Sequence, residues 1–227
     1  MSNNNQKPAE QANLGEALSR TEQFFTNNKK GIIAALAAII VIVVGIFVIK
    51  STVIEPRQTK AAEALFPGEQ YFNSNEYQKA LDGDDYGYQG LVAVAKQYKG
   101  TKAAKLANAY AGLCYAQLED YSSAIAYLSK FSAKDKTVTP SVLGALANCY
   151  AETDQLDKAG ATFLAAAKKA KDKLFTPYFL LQAGIIFESS GNQAKALDCY
   201  NRIKNSYSAS AQASDADKYI TRINAVK

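Results

Sequence analysis

Few residues of this sequence could do chemistry, and one type is missing altogether. The 227 residues include no histidine, which removes Ser-His-Asp and Cys-His nucleophilic sites, zinc or haem held by histidine, and imidazole as a general base. An enzyme would have to use carboxylates, lysine, tyrosine or cysteine alone. The net charge of +5 is too small to indicate nucleic-acid binding. We therefore predict no enzyme, no catalytic residue, no cofactor and no small-molecule substrate.

The segment DGDDYGYQG, residues 82–90, holds the densest group of acidic residues. Its three aspartates and first glycine resemble part of a calcium loop, but the ordered alternation of ligands and the terminal glutamate of such a loop are absent. We therefore predict no metal site. The segment is interpreted as a polar loop whose Tyr86 and Tyr88 pack on a neighbouring helical repeat.

Three cysteines, Cys114, Cys149 and Cys199, have no paired spacing. Cys114 and Cys149 lie 35 residues apart, which gives them the same position in the repeat pattern described below. We expect all three to be buried and to act as small hydrophobic residues. Their odd number argues against a disulfide framework and weakly disfavours an oxidising compartment.

One segment is apolar enough to span a membrane. Residues 31–49, GIIAALAAIIVIVVGIFVI, are 19 consecutive residues without a charged or polar side chain. As a helix they would extend about 28 Å, close to the ~30 Å hydrocarbon core of a bilayer. Buried core helices of this length are rarely apolar on every face. A cleaved signal peptide is disfavoured by the 30 residues that precede the segment and by the lack of a small-x-small cleavage site after it.

The charges beside this segment predict its orientation. Lys29 and Lys30 precede it, whereas Lys50 alone follows directly, and this difference favours an N-terminus in the cytoplasm. An apolar stripe in the preceding tail indicates a short amphipathic helix; it comprises Leu14, Leu18, Thr21 and Phe25. The predicted domains are a cytoplasmic tail (1–30), a transmembrane helix (31–49), a linker (50–60) and a repeat domain (61–227).

The C-terminal domain contains a recurring pattern of small and large residues. The pattern is seen in residues 110–131, 145–166 and 182–203. Its most regular member is an alanine, found at Ala124, Ala159 and Ala196. The intervals of 35 and 37 residues, with two helices in each unit, are typical of a helical solenoid. The predicted fold class is therefore all-α.

Each repeat is expected to pack through small residues where its two helices cross. A small residue on the first helix and the alanine on the second let the backbones approach, and an aromatic residue one turn after the first fills the remaining space. The small residues are Gly112, Ala147 and Gly184, and the aromatic ones are Tyr115, Tyr150 and Phe187. Large residues follow on the second helix at Leu128, Phe163 and Tyr200.

This pattern resembles the tetratricopeptide repeat family. The family's motif L-G-x-x-Y…A-x-x-x-F/Y/L is matched by Gly112, Tyr115, Ala124 and Leu128, and by the stretch GNQAKALDCYNRI. The resemblance covers roughly residues 101–207 and implies a solenoid of paired helices. The tryptophan that is usual in the family's first helix is absent.

Two further features adjoin the regular repeats. A degenerate earlier unit is visible in GEQYFNSNEYQKAL, and residues 82–90 interrupt it before a helix resumes at residues 91–98. A final helix over residues 211–226 is expected to cap the last repeat. Its apolar face comprises Ala216, Tyr219, Ile220 and Ile223.

The resemblance implies that the first helices of the repeats line a concave groove. We expect this groove to present a mixture of apolar and polar side chains, which suits extended or helical peptide segments. The predicted peptide-binding residues are Leu113, Gln117, Asn148, Glu152, Ile185 and Glu188, with Ala116, Gly144 and Leu181 also facing the groove. Ala109, Gly144 and Leu181 replace the lysine with which some members clamp a C-terminal carboxylate, so recognition of a free C-terminus is not expected.

The layout of tail, single anchor and divergent repeats resembles the YfgM-like family of bacterial inner-membrane proteins, which are ancillary subunits of the SecYEG translocon. This resemblance implies a repeat domain in the periplasm that binds translocon subunits, periplasmic chaperones or secreted chains. One alternative is a membrane-tethered scaffold of another envelope complex. A second alternative is a protein like the mitochondrial import receptors, with its repeats in the cytosol, which the three unpaired cysteines would suit.

Overall fold

The computed structural model describes residue 23, residues 27–133 and residues 135–225. All regular structure in these ranges is helical, without a strand, so the predicted all-α class is confirmed. The chain forms two compact units, Met1–Pro56 and Arg57–Lys227. The apolar stripe predicted in the N-terminal tail lies outside the described residues.

The first unit contains helix α1, Lys29–Ile49, and a π-helical turn, Lys50–Ile54. No residue of α1 is buried, and its apolar side chains are exposed all round, as at Val41 and Phe47. Such a surface is unfavourable in water. Helix α1 contains the predicted segment 31–49 and is long and apolar enough to cross a membrane.

The residues that the sequence indicates as a linker, 50–60, are helical. The π-helical turn is followed directly by α2, Glu55–Asn73. Pro56 lies just after this turn, at the second residue of α2, and it cannot donate a backbone hydrogen bond to the turn before it. The hydroxyl of Thr52 donates to the carbonyl of Val48 at 2.7 Å, which supports the turn from within the same unit.

The second unit is a series of helix pairs, in which each helix packs chiefly on its neighbours along the chain. After α2, its helices are α3 (Tyr77–Asp82), α4 (Leu91–Gln97), α5 (Lys102–Gln117), α6 (Tyr121–Leu128), α7 (Val138–Glu152), α8 (Leu156–Ala170), α9 (Phe175–Ser189), α10 (Gln193–Ser206) and α11 (Ala213–Ala225). The buried apolar residues form three clusters in succession along these helices. Packing of this kind stabilises each pair mainly through its nearest neighbours.

Four hairpins, α2/α3, α5/α6, α7/α8 and α9/α10, share one turn. Each has a left-handed residue two positions before the start of its second helix, with φ between 56° and 78°: Asn75, Glu119, Asp154 and Gly191. The next residue donates its backbone N–H to the carbonyl five positions earlier, at 2.7–2.9 Å in all four. The same backbone geometry therefore recurs at intervals of 44, 35 and 37 residues.

The helix crossings depend on the predicted small residues. A Cβ atom at Gly112 would lie 2.6 Å from Leu128 Cγ, and one at Gly184 would lie 2.3 Å from Tyr200 Cε1. Both distances are too short for any side chain, so glycine is required there. The alanines at the crossings, Ala124, Ala159 and Ala196, are fully buried. The predicted crossing positions are confirmed as core.

The loop that interrupts the first hairpin is also confirmed, with one error in its packing. Helix α3 ends at Asp82 and α4 begins at Leu91, so residues 83–90 form the predicted loop. Tyr88 packs inward, against Gly68 of α2 and the ring of Tyr71, whose centroid is 5.8 Å away. Tyr86 was predicted to pack as well, but it is 95% exposed. Only one of the two tyrosines of this loop therefore packs on the helices.

Helix α11 covers the last hairpin as predicted. Ala216 and Ile223 are buried in the same cluster as the core of α9 and α10, and Tyr219 and Ile220 pack against that cluster. The ring of Tyr219 lies 5.1 Å from that of Tyr200. An apolar face that would otherwise be open at the end of the series is thereby closed.

Candidate protein-binding surface

The shared turns place the first helices α5, α7 and α9 in a common register. Residues 35 and then 37 positions apart are equivalent, so Leu113, Asn148 and Ile185 form one row across the three helices. Gln117 and Glu152 form a second row, four residues further along each helix and nearer to the loop between the two helices of the hairpin. Five of the six predicted peptide-binding residues therefore occupy two adjacent rows. We call the face that carries these rows the first-helix stripe.

Leu113 lines an apolar pocket at the junction of α5 and the start of α7. Its side chain is half-buried, and the pocket has a volume of about 290 Å³. The other apolar residues of the wall are Leu106, Ala109, Tyr110, Val138 and Val142. This volume is at the lower end of the range for ligand pockets, so the pocket suits a single apolar side chain better than a whole small molecule.

Ile185 and Glu188 lie in a second, more polar depression on α9. It has a volume of about 420 Å³ and is shared with Tyr219 and Arg222 of α11. The carboxylate of Glu188 accepts a hydrogen bond from Tyr200 Oη at 3.1 Å and one from Arg222 Nη2 at 2.7 Å. Glu188 therefore joins α9 to α10 and α11, and a partner would meet the Arg222 guanidinium beside it.

The remaining predicted residues are exposed and polar. Gln117 lies at the last turn of α5, and Asn148 and Glu152 lie on α7. None of the three lines the pocket of Leu113 or that of Ile185. The six residues therefore form two separate depressions and a polar stretch on α7, rather than one continuous cavity.

Two further residues expected in the groove are buried instead. A Cβ atom at Gly144 of α7 would lie 2.8 Å from Phe179 Cε1 of α9, and Leu181 is 8% exposed. Ala109, the equivalent residue of α5, is buried as well. This row faces the adjacent first helix, because neighbouring first helices pack side by side. The prediction that Gly144 and Leu181 face the groove was therefore wrong, because their row lies next to the first-helix stripe and is buried.

Sequence reasoning missed the residues that make the surface most apolar. Leu106 and Tyr110 precede Leu113 by seven and three positions and share its pocket, and Tyr178 is the equivalent of Leu106 on α9. Tyr178 and Val138 are each more than 40% exposed. Extending the phase of Leu113 backwards at helical spacing would have found the first two. Val138 could not be found in this way, because it comes from another helix.

The cysteines and the acidic loop, which could otherwise do chemistry, take part in packing and in hydrogen bonds within the fold. The three cysteines are buried as predicted, and burial raises the pKa of Cys114 to about 12 and that of Cys199 to about 11, so neither forms a thiolate readily. Asp84 accepts hydrogen bonds from Tyr71 Oη at 2.6 Å and from the backbone N–H groups of Tyr86 and Tyr88. The hydrogen bond to Asp84 raises the pKa of Tyr71 to about 12. Within the described residues, no three Asp, Glu or Cys side chains are grouped so as to hold a metal ion.

No known protein family matches this chain, and no curated protein is significantly similar to it. The class that the structure defines is therefore the coarse one: an all-α protein with one N-terminal helix that could cross a membrane and a unit of four equivalent helix hairpins. Its candidate site is a surface with one apolar pocket at Leu113 and one more polar depression at Ile185.

Proposed function

We propose that this protein is a membrane-tethered scaffold whose tetratricopeptide-like repeats bind segments of other proteins. The observation that carries the proposal is the open apolar pocket of Leu113 on the first-helix stripe. In the adjacent row, Gly144 and Leu181 are buried by packing, whereas Ala109 forms part of the pocket wall. Open apolar pockets on a repeat surface are typical of peptide-binding sites.

The stripe supplies contacts of two kinds. An apolar side chain of a partner would enter the pocket at Leu113, and Ile185 would add an apolar contact inside the more polar depression. Burial of this apolar surface would provide most of the binding free energy. Asn148 and Glu152 would set the direction of the bound segment through hydrogen bonds. The guanidinium of Arg222 adds a donor at the α11 end.

Helix α1 provides the second part of the mechanism. If it anchors the chain, partners in the same membrane meet the stripe at a raised effective concentration, so a weak site is sufficient. The lysine pair before α1 favours a cytoplasmic N-terminus and a repeat domain in the periplasm.

The partner class follows from the resemblance to the YfgM-like family. We propose an ancillary role at the Sec translocon of the bacterial inner membrane, with translocon subunits, periplasmic chaperones or secreted chains as partners. A scaffold of another envelope complex and a cytosolic, import-receptor-like arrangement are the alternatives, and topology separates the latter from the rest.

The binding surface is tested by crosslinking in membranes with a variant that introduces two negative charges into the first-helix stripe. The variant Leu113→Glu/Ile185→Glu buries two carboxylates against an apolar partner, which costs several kcal/mol and would abolish micromolar binding. The matched control is Ala126→Glu/Ala165→Glu, which adds the same charge at exposed positions of the second helices α6 and α8. We expect the control to crosslink like the unmodified protein. Equal crosslinking by the stripe variant, with unchanged circular dichroism, would move the binding site elsewhere.

Topology is tested with reporter fusions after Lys227. We expect alkaline phosphatase to be active there, because the lysine pair retains the N-terminus in the cytoplasm. An inactive phosphatase together with a fluorescent cytoplasmic reporter would reverse the orientation and favour the cytosolic alternative.

A further inference from the structure

A long stretch of the second unit carries positive charge without any acidic residue. Between Asp85 and Glu119 there is no aspartate or glutamate, although the chain as a whole has 21 acidic residues. Four lysines fall in this stretch at intervals of three: Lys96, Lys99, Lys102 and Lys105. Such an excess produces a local positive potential that the net charge of the whole protein does not reveal.

The fold concentrates this charge around one cavity. Helices α4, α5 and α6 enclose a space of about 560 Å³, whose floor includes Val92 and Ala95. Its rim carries four exposed lysines, which are Lys96, Lys99, Lys105 and Lys130. Lys130 lies two residues after the end of α6, outside the acid-free stretch, and its ammonium lies 4.3 Å from the centre of the Tyr127 ring. We call this site the lysine pocket.

Within the described parts of the chain, no acidic side chain neutralises the lysine pocket through an ion pair. Among the described residues, the ion pairs within 4.0 Å involve other basic side chains and none of these four lysines. Like charges held together without counterions attract an anionic ligand. Lysine is a common ligand for phosphate groups, which it binds as a compact point charge with three donors.

Hydrogen bonds join the backbone near the lysine pocket to the first residues of the second unit, at the start of α2. Arg57 Nη2 donates to the carbonyl of Lys99 at 3.2 Å, and Gln58 Oε1 accepts from the backbone N–H of Lys102 at 3.0 Å. Seven residues, 50–56, separate Arg57 from Ile49 at the end of α1. Even a fully extended chain of this length spans no more than about 28 Å. If α1 crosses a bilayer, the pocket is tethered within reach of its surface.

We infer that the lysine pocket binds the phosphate-bearing headgroups of anionic lipids. The inference rests on the proposed anchoring by α1. Lysines next to a membrane anchor are attracted to an anionic surface, and each contributes roughly a fivefold factor to binding. The pocket lies apart from the residues that line the depression at Leu113, so it adds a lipid contact that leaves the first-helix stripe free for a protein partner.

The test is amide hydrogen exchange of the full-length chain in nanodiscs. One set of discs contains phosphatidylcholine alone, and the other also contains phosphatidylglycerol. We expect exchange in residues 96–108 and 127–130 to slow by about fivefold or more with phosphatidylglycerol, the factor that a single lysine contributes at an anionic surface. The slowing should diminish in 0.5 M salt, because ions screen exposed charges.

The variant Lys96→Gln/Lys99→Gln/Lys105→Gln/Lys130→Gln should lose this slowing. The control Lys158→Gln/Lys168→Gln/Lys169→Gln/Lys173→Gln removes the same charge from exposed positions in and after α8, and it should retain the slowing. Equal loss in both variants would show a general charge effect and overturn the assignment.

Additional arms separate the other sources of anionic groups and the anchor itself. Inorganic phosphate or a polyglutamate peptide, added to phosphatidylcholine discs, should give less protection than phosphatidylglycerol. If either protects these residues as strongly, the lipid assignment is wrong. Slow exchange throughout α1 with no response at the pocket would overturn the lipid site alone, whereas fast exchange in α1 would instead contradict the anchoring on which it rests.

Discussion

The first and the last helix hairpins meet the same packing requirement with different parts of the chain. In the last hairpin, Gly184 on α9 faces Tyr200, which lies 16 residues later on α10. In the first hairpin, α3 ends after six residues, before it reaches the equivalent position. Gly68 on α2 is covered instead by Tyr88 and Leu91, which come after the loop.

Both hairpins contain a hydrogen bond from a tyrosine hydroxyl to a carboxylate, but the tyrosine lies on the second helix in the last hairpin and on the first helix in the first hairpin. Residue 84, the equivalent of Tyr200, is an aspartate, and it accepts a hydrogen bond from Tyr71 at 2.6 Å. Tyr88 supplies the missing ring and donates its hydroxyl to the carbonyl of Ala80 at 3.0 Å. Both hairpins therefore have a close helix crossing that is filled by an aromatic residue. The residue comes from the second helix in the last hairpin and from the loop in the first. An interrupted repeat of this kind still extends the stack.

The largest expected effect comes from removing the two aromatic rings. In residues 57–227, which we expect to fold as a soluble helical domain, Tyr200→Ala should lower the free energy of unfolding by about 3–5 kcal/mol, since its ring is fully buried. Tyr88→Ala should cost about 2 kcal/mol, because its ring is only partly buried. Urea denaturation measures both.

Tyr86→Ala is the control for this pair, and it should change stability by less than about 0.5 kcal/mol because Tyr86 is exposed. An equal loss for Tyr88→Ala and Tyr86→Ala would show that Tyr88 does not replace Tyr200.

A smaller effect is expected when the crossing glycines are filled. Gly112→Leu, or Ala159→Leu, should cost about 1–3 kcal/mol, because the helix crossing there is closed by the backbone and side chain of a regular second helix. Gly68→Leu should cost less than Gly112→Leu, since part of what it displaces is the end of a side chain held by a loop. Thermal melts followed by circular dichroism would rank the three, and the reverse order for the two glycines would contradict the comparison.

The smallest effect concerns pH and is confined to the first hairpin. The hydrogen bond from Tyr71, together with those from the loop backbone, lowers the pKa of Asp84. A carboxylate whose pKa is lowered by folding stabilises the protein above its unfolded pKa of about 3.9, and this contribution disappears as the pH falls through the folded value. We therefore expect Asp84→Asn to lower the melting temperature at pH 7, to have a smaller effect as the pH falls below about 3.9, and to have none at a pH below the folded pKa.

Asp85→Asn removes the same charge from the exposed neighbour and is the control. It should melt like the parent domain at both pH values. A pH-independent difference for Asp84→Asn would mean that the amide itself, rather than the lost charge, destabilises the loop.

Much of the fold could be predicted from the sequence because it depends on local patterns. Gly112, Ala124 and Leu128 lie within one hairpin, and helical periodicity relates them directly. The face of each first helix was harder to assign. Gly144 was placed in the groove because nothing in the sequence gives the contact between successive first helices, which Phe179 makes.

Contacts between segments that are far apart in the sequence explain why other residues were not identified from the sequence. Gly160 of α8 is a crossing residue, since a Cβ atom there would lie 2.6 Å from Phe187 Cε1, yet a glycine inside a helix reads only as a weak helix former. Lys130 joins the lysine pocket from the turn after α6, whereas the run of lysines in the sequence ends at Lys105. Such groupings appear only when the hairpins are stacked.

The most direct test of the proposed function is a scan with a photo-crosslinking amino acid in intact membranes. The scan would place it at Leu106, Leu113, Asn148 and Ile185 of the first-helix stripe, and at Ser122, Ala126, Ala161 and Ala165, exposed positions of the second helices. We predict adducts with the same partner from several stripe positions and none from the second helices. Adducts that form equally on the second helices, or only there, would contradict the assignment of the stripe as the binding surface.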